Sequence, residues 1–388
     1  MHRPDYHGGS IVNLMSTIAT HFGGTSPYLP LGALPPDQLA GAENVVLLII
    51  DGLGFSYLQE HGKGSVLQEH LRGKMTSVFP STTAAAISSF YTGLAPQNHG
   101  IMGWFTYLRE LGLVSVILRT TVRATKQEFL KKNIPPKEVF QVDSFFNKIR
   151  ANGFVVLPRE LRPSPYNQLL AGNARRIGHR NLNSLFSHVT KILKKYPGPN
   201  YIMAYWPDFD STAHKYGVQS PEALRHFKEI DEKVGKFLDT IKEMSQKTTV
   251  IVTADHGLVD CPSDRVIWLP EHPPLDQSLA VPLCGEGRAA FCYVHPSKVP
   301  QFEAYVRDHL DHAFTLLKYE DLVSQEFFGL FAPYPRLLDR VGDYVLLAKE
   351  NYVLREDLIG EERETFIGHH GGVSEQEMFV PLIVASNT

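Results

Sequence analysis

Val45-Val46-Leu47-Leu48-Ile49-Ile50 is an unbroken apolar run that stops at Asp51-Gly52-Leu53-Gly54. A strand apolar at every position is buried on both faces, which happens in the middle of a parallel sheet covered by helices. The pattern recurs. Tyr201-Ile202-Met203-Ala204-Tyr205 leads into Trp206-Pro207-Asp208-Phe209-Asp210 and on to His214, and Val250-Ile251-Val252-Thr253 leads into Ala254-Asp255-His256-Gly257. Open α/β sheets bind ligands outside the carboxyl ends of their strands. Carboxylates and imidazoles placed there are candidate metal ligands, although each one alone is also an ordinary turn or cap residue.

A fourth stretch adds a hydroxyl. Strand 75–79 is expected to deliver Phe79-Pro80-Ser81-Thr82-Thr83, followed by a helix over 84–91 that stops at Gly93. Thr82 or Thr83 is a natural helix cap. A hydroxyl at a helix start also lies beside free N–H groups and the positive end of the helix dipole, which suits an alkoxide and its anionic target. Gly368-His369-His370-Gly371-Gly372 forms a further glycine-rich loop. Asp51, Asp210 and Asp255 with His214, His256 and His370 make three carboxylates and three imidazoles. Such donors suit zinc, with Mn2+, Fe or Co2+ as other occupants. Two such ions, roughly 3.5–4 Å apart, serve in-line displacement at phosphorus.

Around these stretches the periodicity predicts helices over 11–19, 181–194, 221–244, 300–310 and 322–328. Strands are expected over 113–118, 139–142, 154–157, 289–294 and 314–317, with 343–348 returning to the core sheet and 379–385 closing it. From 258 proline becomes frequent and the β-α-β-α rhythm changes, so an inserted α+β cap is expected over 258–335, in a core of 1–257 and 336–388.

Bulk properties narrow the function classes. A net charge of -3 offers no track for a nucleic-acid polymer, and Arg119, Arg123, Lys126, Lys131 and Lys132 read as a solvated helix face. No apolar run approaches the roughly 20 residues of a membrane span, and the N-terminus lacks a signal-peptide layout. Cys261, Cys284 and Cys292 have no metal spacing, which points to a reducing, cytoplasmic setting.

Taken in order, several motifs resemble the type I phosphodiesterase and nucleotide pyrophosphatase branch of the alkaline phosphatase superfamily. They are Ile50-Asp51-Gly52, Phe79-Pro80-Ser81-Thr82-Thr83 with Thr92-Gly93, the 96–101 segment ending His-Gly-Ile, and Asp-x-x-x-His-Lys-Tyr-Gly at 210–217. Thr253-Ala254-Asp255-His256-Gly257, Arg340-Val341-Gly342-Asp343 and His370-Gly371 complete the set, which spans about 44–385. The resemblance implies an alkaline-phosphatase-like α/β core, a largely parallel sheet with helices on both faces. It implies Thr83 as the nucleophile, three residues after Pro80 and nine before Thr92. It also implies one ion held by Asp210, His214 and His370 and another by Asp51, Asp255 and His256, with Thr83 facing both. The implied substrate is a small phosphate diester or a nucleotide-like pyrophosphate. A phosphomonoesterase, a phosphonoacetate-type C–P hydrolase or a phosphoryl-transferring enzyme would use the same site, and a non-catalytic binding module would keep the fold.

One position departs from the family pattern. Relatives carry an Asn after His-Gly-Ile-x-Gly, and here Trp104 follows His99-Gly100-Ile101-Met102-Gly103. Trp104 is therefore a candidate substrate contact, with packing as the alternative. Arg119 and Arg288 are candidate anion contacts. His99 and His369 read as structural.

Overall fold

The computed structural model describes residues 1–130, 134–361, 363 and 365–387. Its larger sheet orders seven strands as Leu71–Thr76, Phe379–Ser386, Thr248–Thr253, Asn44–Ile50, Asn200–Trp206, Asn152–Pro158 and Arg175–His179. The last five are parallel to one another. Phe379–Ser386 runs antiparallel to both its neighbours, so Leu71–Thr76 points the same way as the five. Asn44–Ile50 and Thr248–Thr253 are buried at every position, as their unbroken apolar runs require. The three runs that end in Asp are adjacent strands at the centre of the sheet. Their carboxyl ends therefore open on one edge, and the chain toward Thr83 leaves from that edge too.

Helices cover this sheet for local reasons that the sequence carries. Leu182–Lys195 starts at Asn181, whose side chain accepts from the Ser184 N–H, and it buries Leu185, Val189 and Leu193. Pro221–Lys242 starts at Ser220 with Pro221 in its first turn and buries Phe227, Ile230, Val234, Phe237, Leu238 and Ile241. Each such side chain contributes about 1.5–3 kcal/mol on leaving water. Thr83–Thr92 is buried from Ala84 onward and ends at Gly93, where φ is 69°. Among the described residues no helix is long and apolar enough to cross a membrane.

A second, antiparallel sheet of seven strands leans over the site edge. Its order is Phe314–Lys318, Tyr344–Ala348, Ala289–Cys292, Cys284–Glu286, Phe105–Leu108, Leu113–Val116 and Thr121–Val122. The segment 258–335 thus supplies three of its strands, and the rest come from 105–122 and 344–348. Phe291, Phe327, Phe328 and Val345 pack in one cluster, and Phe302, Leu310, Phe314 and Leu346 in another.

Several local expectations need correction. Tyr344–Ala348 does not return to the larger sheet but pairs with Ala289–Cys292 and Phe314–Lys318. No strand forms over 139–142, because Pro135 and Pro136 start a helical turn, Pro136–Val139. The strand expected over 75–79 lies earlier, at Leu71–Thr76, where exposed Arg72 and Lys74 mask an edge strand. The helix expected over 322–328 lies at Tyr319–Ser324. Arg123 is no solvated helix residue: it is buried and bonded to Glu356 and Glu361. Lys131 and Lys132 lie outside the described residues.

Candidate active site

Thr83 is the first residue of its helix and Thr82 is the N-cap, yet Thr82 makes no side-chain cap bond. Its hydroxyl donates instead to Glu286 Oε1 at 2.5 Å. The first-turn N–H groups are thus left without the usual side-chain partner, beside the hydroxyl of Thr83. Thr83 Oγ1 lies 3.1 Å from His256 Nε2. The other ring nitrogen, His256 Nδ1, is 3.1 Å from the carbonyl oxygen of Gly257, which can only accept. That bond assigns the ring proton to Nδ1 and turns Nε2 toward Thr83 as an acceptor.

His256 Nε2 is the hub of the site. It stands 3.4 Å from Asp51 Oδ1 and 3.5 Å from Asp255 Oδ2. Asp51, Asp255 and His256 offer donor atoms all within 4.8 Å of one another, and so do Asp210, His256 and His370. His214 Nε2 is 3.2 Å from Asp210 Oδ2, and His370 Nε2 is 4.0 Å from Asp210 Oδ1. All seven residues expected at the site are therefore brought together. His256 also comes within reach of Asp210 and His370, so it stands between the two expected sets, while His214 meets the second set at Asp210. His256 and His370 lie 3.9 Å apart at 26°, whereas His214 is tied through Nδ1 to the Gly368 carbonyl at 2.7 Å and aims Nε2 at Asp210.

Three buried carboxylates in one cleft are costly unless cations meet them. Asp51 Oδ1, Asp210 Oδ1 and Asp255 Oδ2 are buried without a hydrogen-bond partner among the described residues. Burial, then the charges of Asp255 and Asp210, pushes the Asp51 pKa well up, and burial also raises Asp255. Burial acts against ionised Asp210 and protonated His214 too, but their mutual attraction outweighs it, holding Asp210 down and lifting His214 to about 9. Burial, then the charges of His256 and His214, keeps His370 neutral. His214 and His256 each present Nε2 while Nδ1 is fixed on a backbone carbonyl, the usual arrangement behind a metal-binding imidazole. The orphaned oxygens and the oriented rings fit two divalent cations.

Other side chains support this arrangement without showing in the sequence. Tyr205 donates its hydroxyl to Asp51 Oδ2. The Gly52 N–H binds Asp255 Oδ1 at 3.1 Å, tying two strand ends together. Ser81 Oγ donates to the Gly372 carbonyl at 2.7 Å, joining the loop of Thr83 to that of His370. Burial raises Glu286 to about 7 against the bonds it accepts from Thr82 and the Trp104 N–H, and His256 and His214 are close enough to act on its charge. No motif marked Glu286, and its one sequence signal is a place between Gly285 and Gly287.

The remaining candidates separate clearly. Trp104 lies at the site through its N–H, 2.7 Å from Glu286 Oε1, while its ring carries the Arg119 guanidinium at 5.3 Å. Arg288 is not free for an anion: it is buried against Glu377 at 2.6 and 2.9 Å and against the Tyr352 and Glu350 carbonyls. His99 is buried between Ser89 Oγ and the Ile101 N–H, and burial lowers it to about 3. His369 faces the Phe366 carbonyl, away from the donor sets. A cavity of about 680 Å³ lies beside the site, with Gly52, Gly54 and Leu258 in its wall and none of the seven expected residues among its lining.

Known proteins carry the same framework. A 37% identity links 76 residues to bis(5'-adenosyl)-triphosphatase ENPP4 of Bos taurus, covering 19% of this chain and 17% of that protein. The Pongo abelii counterpart is 25% identical over 272 residues, covering 67% of this chain and 55% of that protein. The chain thus spans about half or less of the length of these relatives. Murine ectonucleotide pyrophosphatase / phosphodiesterase 5 superposes with a TM-score of 0.65 at 19% identity, covering 87% of each chain. Phosphonoacetate hydrolase from Sinorhizobium meliloti gives 0.62 at 19%, covering 87% of this chain and 89% of that one. These structures share the alkaline-phosphatase-like α/β fold. A family model for type I phosphodiesterase / nucleotide pyrophosphatase matches residues 45–373, and the chain belongs to that family.

Proposed function

We propose that this protein hydrolyses a phosphate diester or a pyrophosphate bond through a phospho-Thr83 intermediate, with two divalent cations, zinc foremost. The observation that carries the reading is the meeting of Thr83 Oγ1 with two donor sets that share His256 and hold unpartnered buried carboxylate oxygens. Asp51, Asp255 and His256 would hold one ion and Asp210, His214 and His370 the other, with Thr83 facing both. Bound there, divalent ions would acidify the Thr83 hydroxyl and offset the charge that builds on the phosphoryl and leaving oxygens.

The chain's own residues do the rest. With no cation bound, the Thr83 hydroxyl donates to His256 Nε2, which holds Oγ1 in place; with that nitrogen on a cation, the hydroxyl proton would pass to water. Oγ1 attacks phosphorus in line as the opposite ester oxygen departs with its electron pair. The helix start beneath the phosphoryl group offers N–H donors and a favourable dipole. Water then attacks phospho-Thr83 and releases the second product. Two inversions give net retention at phosphorus. Trp104 is the side chain we assign to the leaving group, alongside Arg119.

A relative named for splitting bis(5'-adenosyl) triphosphate and a neighbouring structure in complex with AMP support a small nucleotide-like substrate. Three unpaired, buried cysteines support a reducing, cytoplasmic setting. The test is a rate comparison on zinc-loaded protein with bis-p-nitrophenyl phosphate, p-nitrophenyl phosphate, a nucleotide p-nitrophenyl ester and phosphonoacetate. Diesters are expected to turn over fastest, and Thr83→Ala to lose about 10⁴-fold or more while keeping its zinc. Faster cleavage of the monoester or the phosphonate would overturn the substrate assignment.

A further inference from the structure

Three segments of the site meet at one side chain that belongs to none of the motifs. Glu286 ends the strand Cys284–Glu286 of the smaller sheet. Its Oε1 accepts from Thr82 Oγ1 at 2.5 Å and from the Trp104 N–H at 2.7 Å. Its stem rests on Gly371, where φ is +109° and an added Cβ would stand 2.6 Å from Glu286 Cβ. One side chain therefore meets the residue before Thr83 and the residue after the His99-to-Gly103 segment through its carboxyl, and the residue after His370 through its stem.

We propose that Glu286 selects substrates by phosphoryl charge, admitting a monoanionic diester and disfavouring a dianionic monoester. The inference rests on the hydrolase reading above. A phosphoryl group attacked by Thr83 Oγ1 must lie next to Thr82, and so next to the carboxyl that Thr82 binds. A diester phosphoryl carries one negative charge. A monoester carries nearly two above its second pKa of about 6. A fixed carboxylate in a cleft with little water repels the added charge far more than bulk solvent would allow. Trp104 offers that carboxylate its backbone N–H and no cation, and the nearby Arg119 guanidinium sits over the Trp104 ring instead.

Glu286→Gln removes the charge and keeps an oxygen that can accept from Thr82 and the Trp104 N–H. With zinc-loaded protein at alkaline pH, kcat/KM is measured for p-nitrophenyl phosphate and for bis-p-nitrophenyl phosphate. The monoester-to-diester ratio is expected to rise about tenfold. Calorimetric titration with inorganic phosphate is expected to show tighter binding by a similar factor. An unmoved ratio, an equal fall for both esters, or unchanged phosphate affinity would overturn the assignment and leave Glu286 as a brace for Thr82. Glu286→Ala carries the same test should the Gln variant fail to fold. A wild type inert toward both esters would sink the hydrolase reading and this inference with it, whereas an active enzyme with an unmoved ratio would sink this inference alone.

Discussion

Exchanging Asp51 for Asn is expected to stabilise the protein in chelator and to weaken its response to zinc. Asp51 and Asp255 are buried, with donor oxygens within 4.8 Å of each other. Two full charges 4.8 Å apart repel by about 3.5 kcal/mol at an effective dielectric constant of about 20. Asp51 escapes part of that by holding its proton, since burial and then the charges of Asp255 and Asp210 raise its pKa. The gain from removing its charge is therefore smaller, roughly 1–3 kcal/mol. Asn keeps the outline, and its amide oxygen accepts the Tyr205 hydroxyl as the carboxylate does.

The assay is urea unfolding of both proteins, in chelator and then in zinc at a thousandfold excess over its Kd. Binding to the folded state alone adds about 4 kcal/mol under that condition. Wild type is expected to show the whole increment and the variant less than half of it, so the variant's lead in chelator shrinks by more than about 2 kcal/mol in zinc. A variant no more stable than wild type in chelator, or an equal zinc increment in both, would refute the reasoning. Asp51 would then be an ordinary buried turn residue.

Tyr205→Phe takes away the hydroxyl that orients Asp51. Zinc affinity by competition titration is expected to fall about 10–100-fold, with kcat restored at saturating zinc. The chelated protein is also expected to lose stability toward alkaline pH. His214 is raised to about 9 in the folded state, so its contribution is whole below about 6.5 and is lost as pH climbs through about 9. That loss is roughly 3 kcal/mol at most, read by urea titration across the range. It should vanish with zinc, which requires a neutral imidazole.

The features that showed in the sequence are those that burial writes locally. A strand covered on both faces must be apolar at every position, so the runs ending at Asp51, Trp206 and Ala254 were visible, as was the chemistry placed just beyond them. Apolar stripes at helical spacing placed the starts of Leu182–Lys195 and Pro221–Lys242 to within a residue. Pairing was not visible. That Asn44–Ile50 lies between Asn200–Trp206 and Thr248–Thr253 depends on contacts across more than a hundred residues, and a parallel sheet leaves no local mark of strand order. The smaller sheet was harder still. Its strands are short, several are only partly buried, and its members come from both sides of the segment expected to form a cap.

Glu286 shows why the rest of the site was hidden. A carboxylate on a short hairpin has no pattern of its own, and its meaning comes from the residues folded against it. The same holds for the loops that carry Asp51 and Asp255. An added Cβ at Gly257 would stand 2.0 Å from the Gln376 carbonyl oxygen, and one at Gly54 would stand 2.9 Å from that oxygen and from Gly257 Cα. Only backbone fits there, so the two loops and the Glu375–Met378 turn lock together without side chains between them. A donor set of like charges tends to fly apart, and this backbone contact resists it. The glycines of Asp51-Gly52-Leu53-Gly54 and Asp255-His256-Gly257, legible only as turn signals, are thus what holds Asp51 and Asp255 at a spacing suited to a cation before one binds.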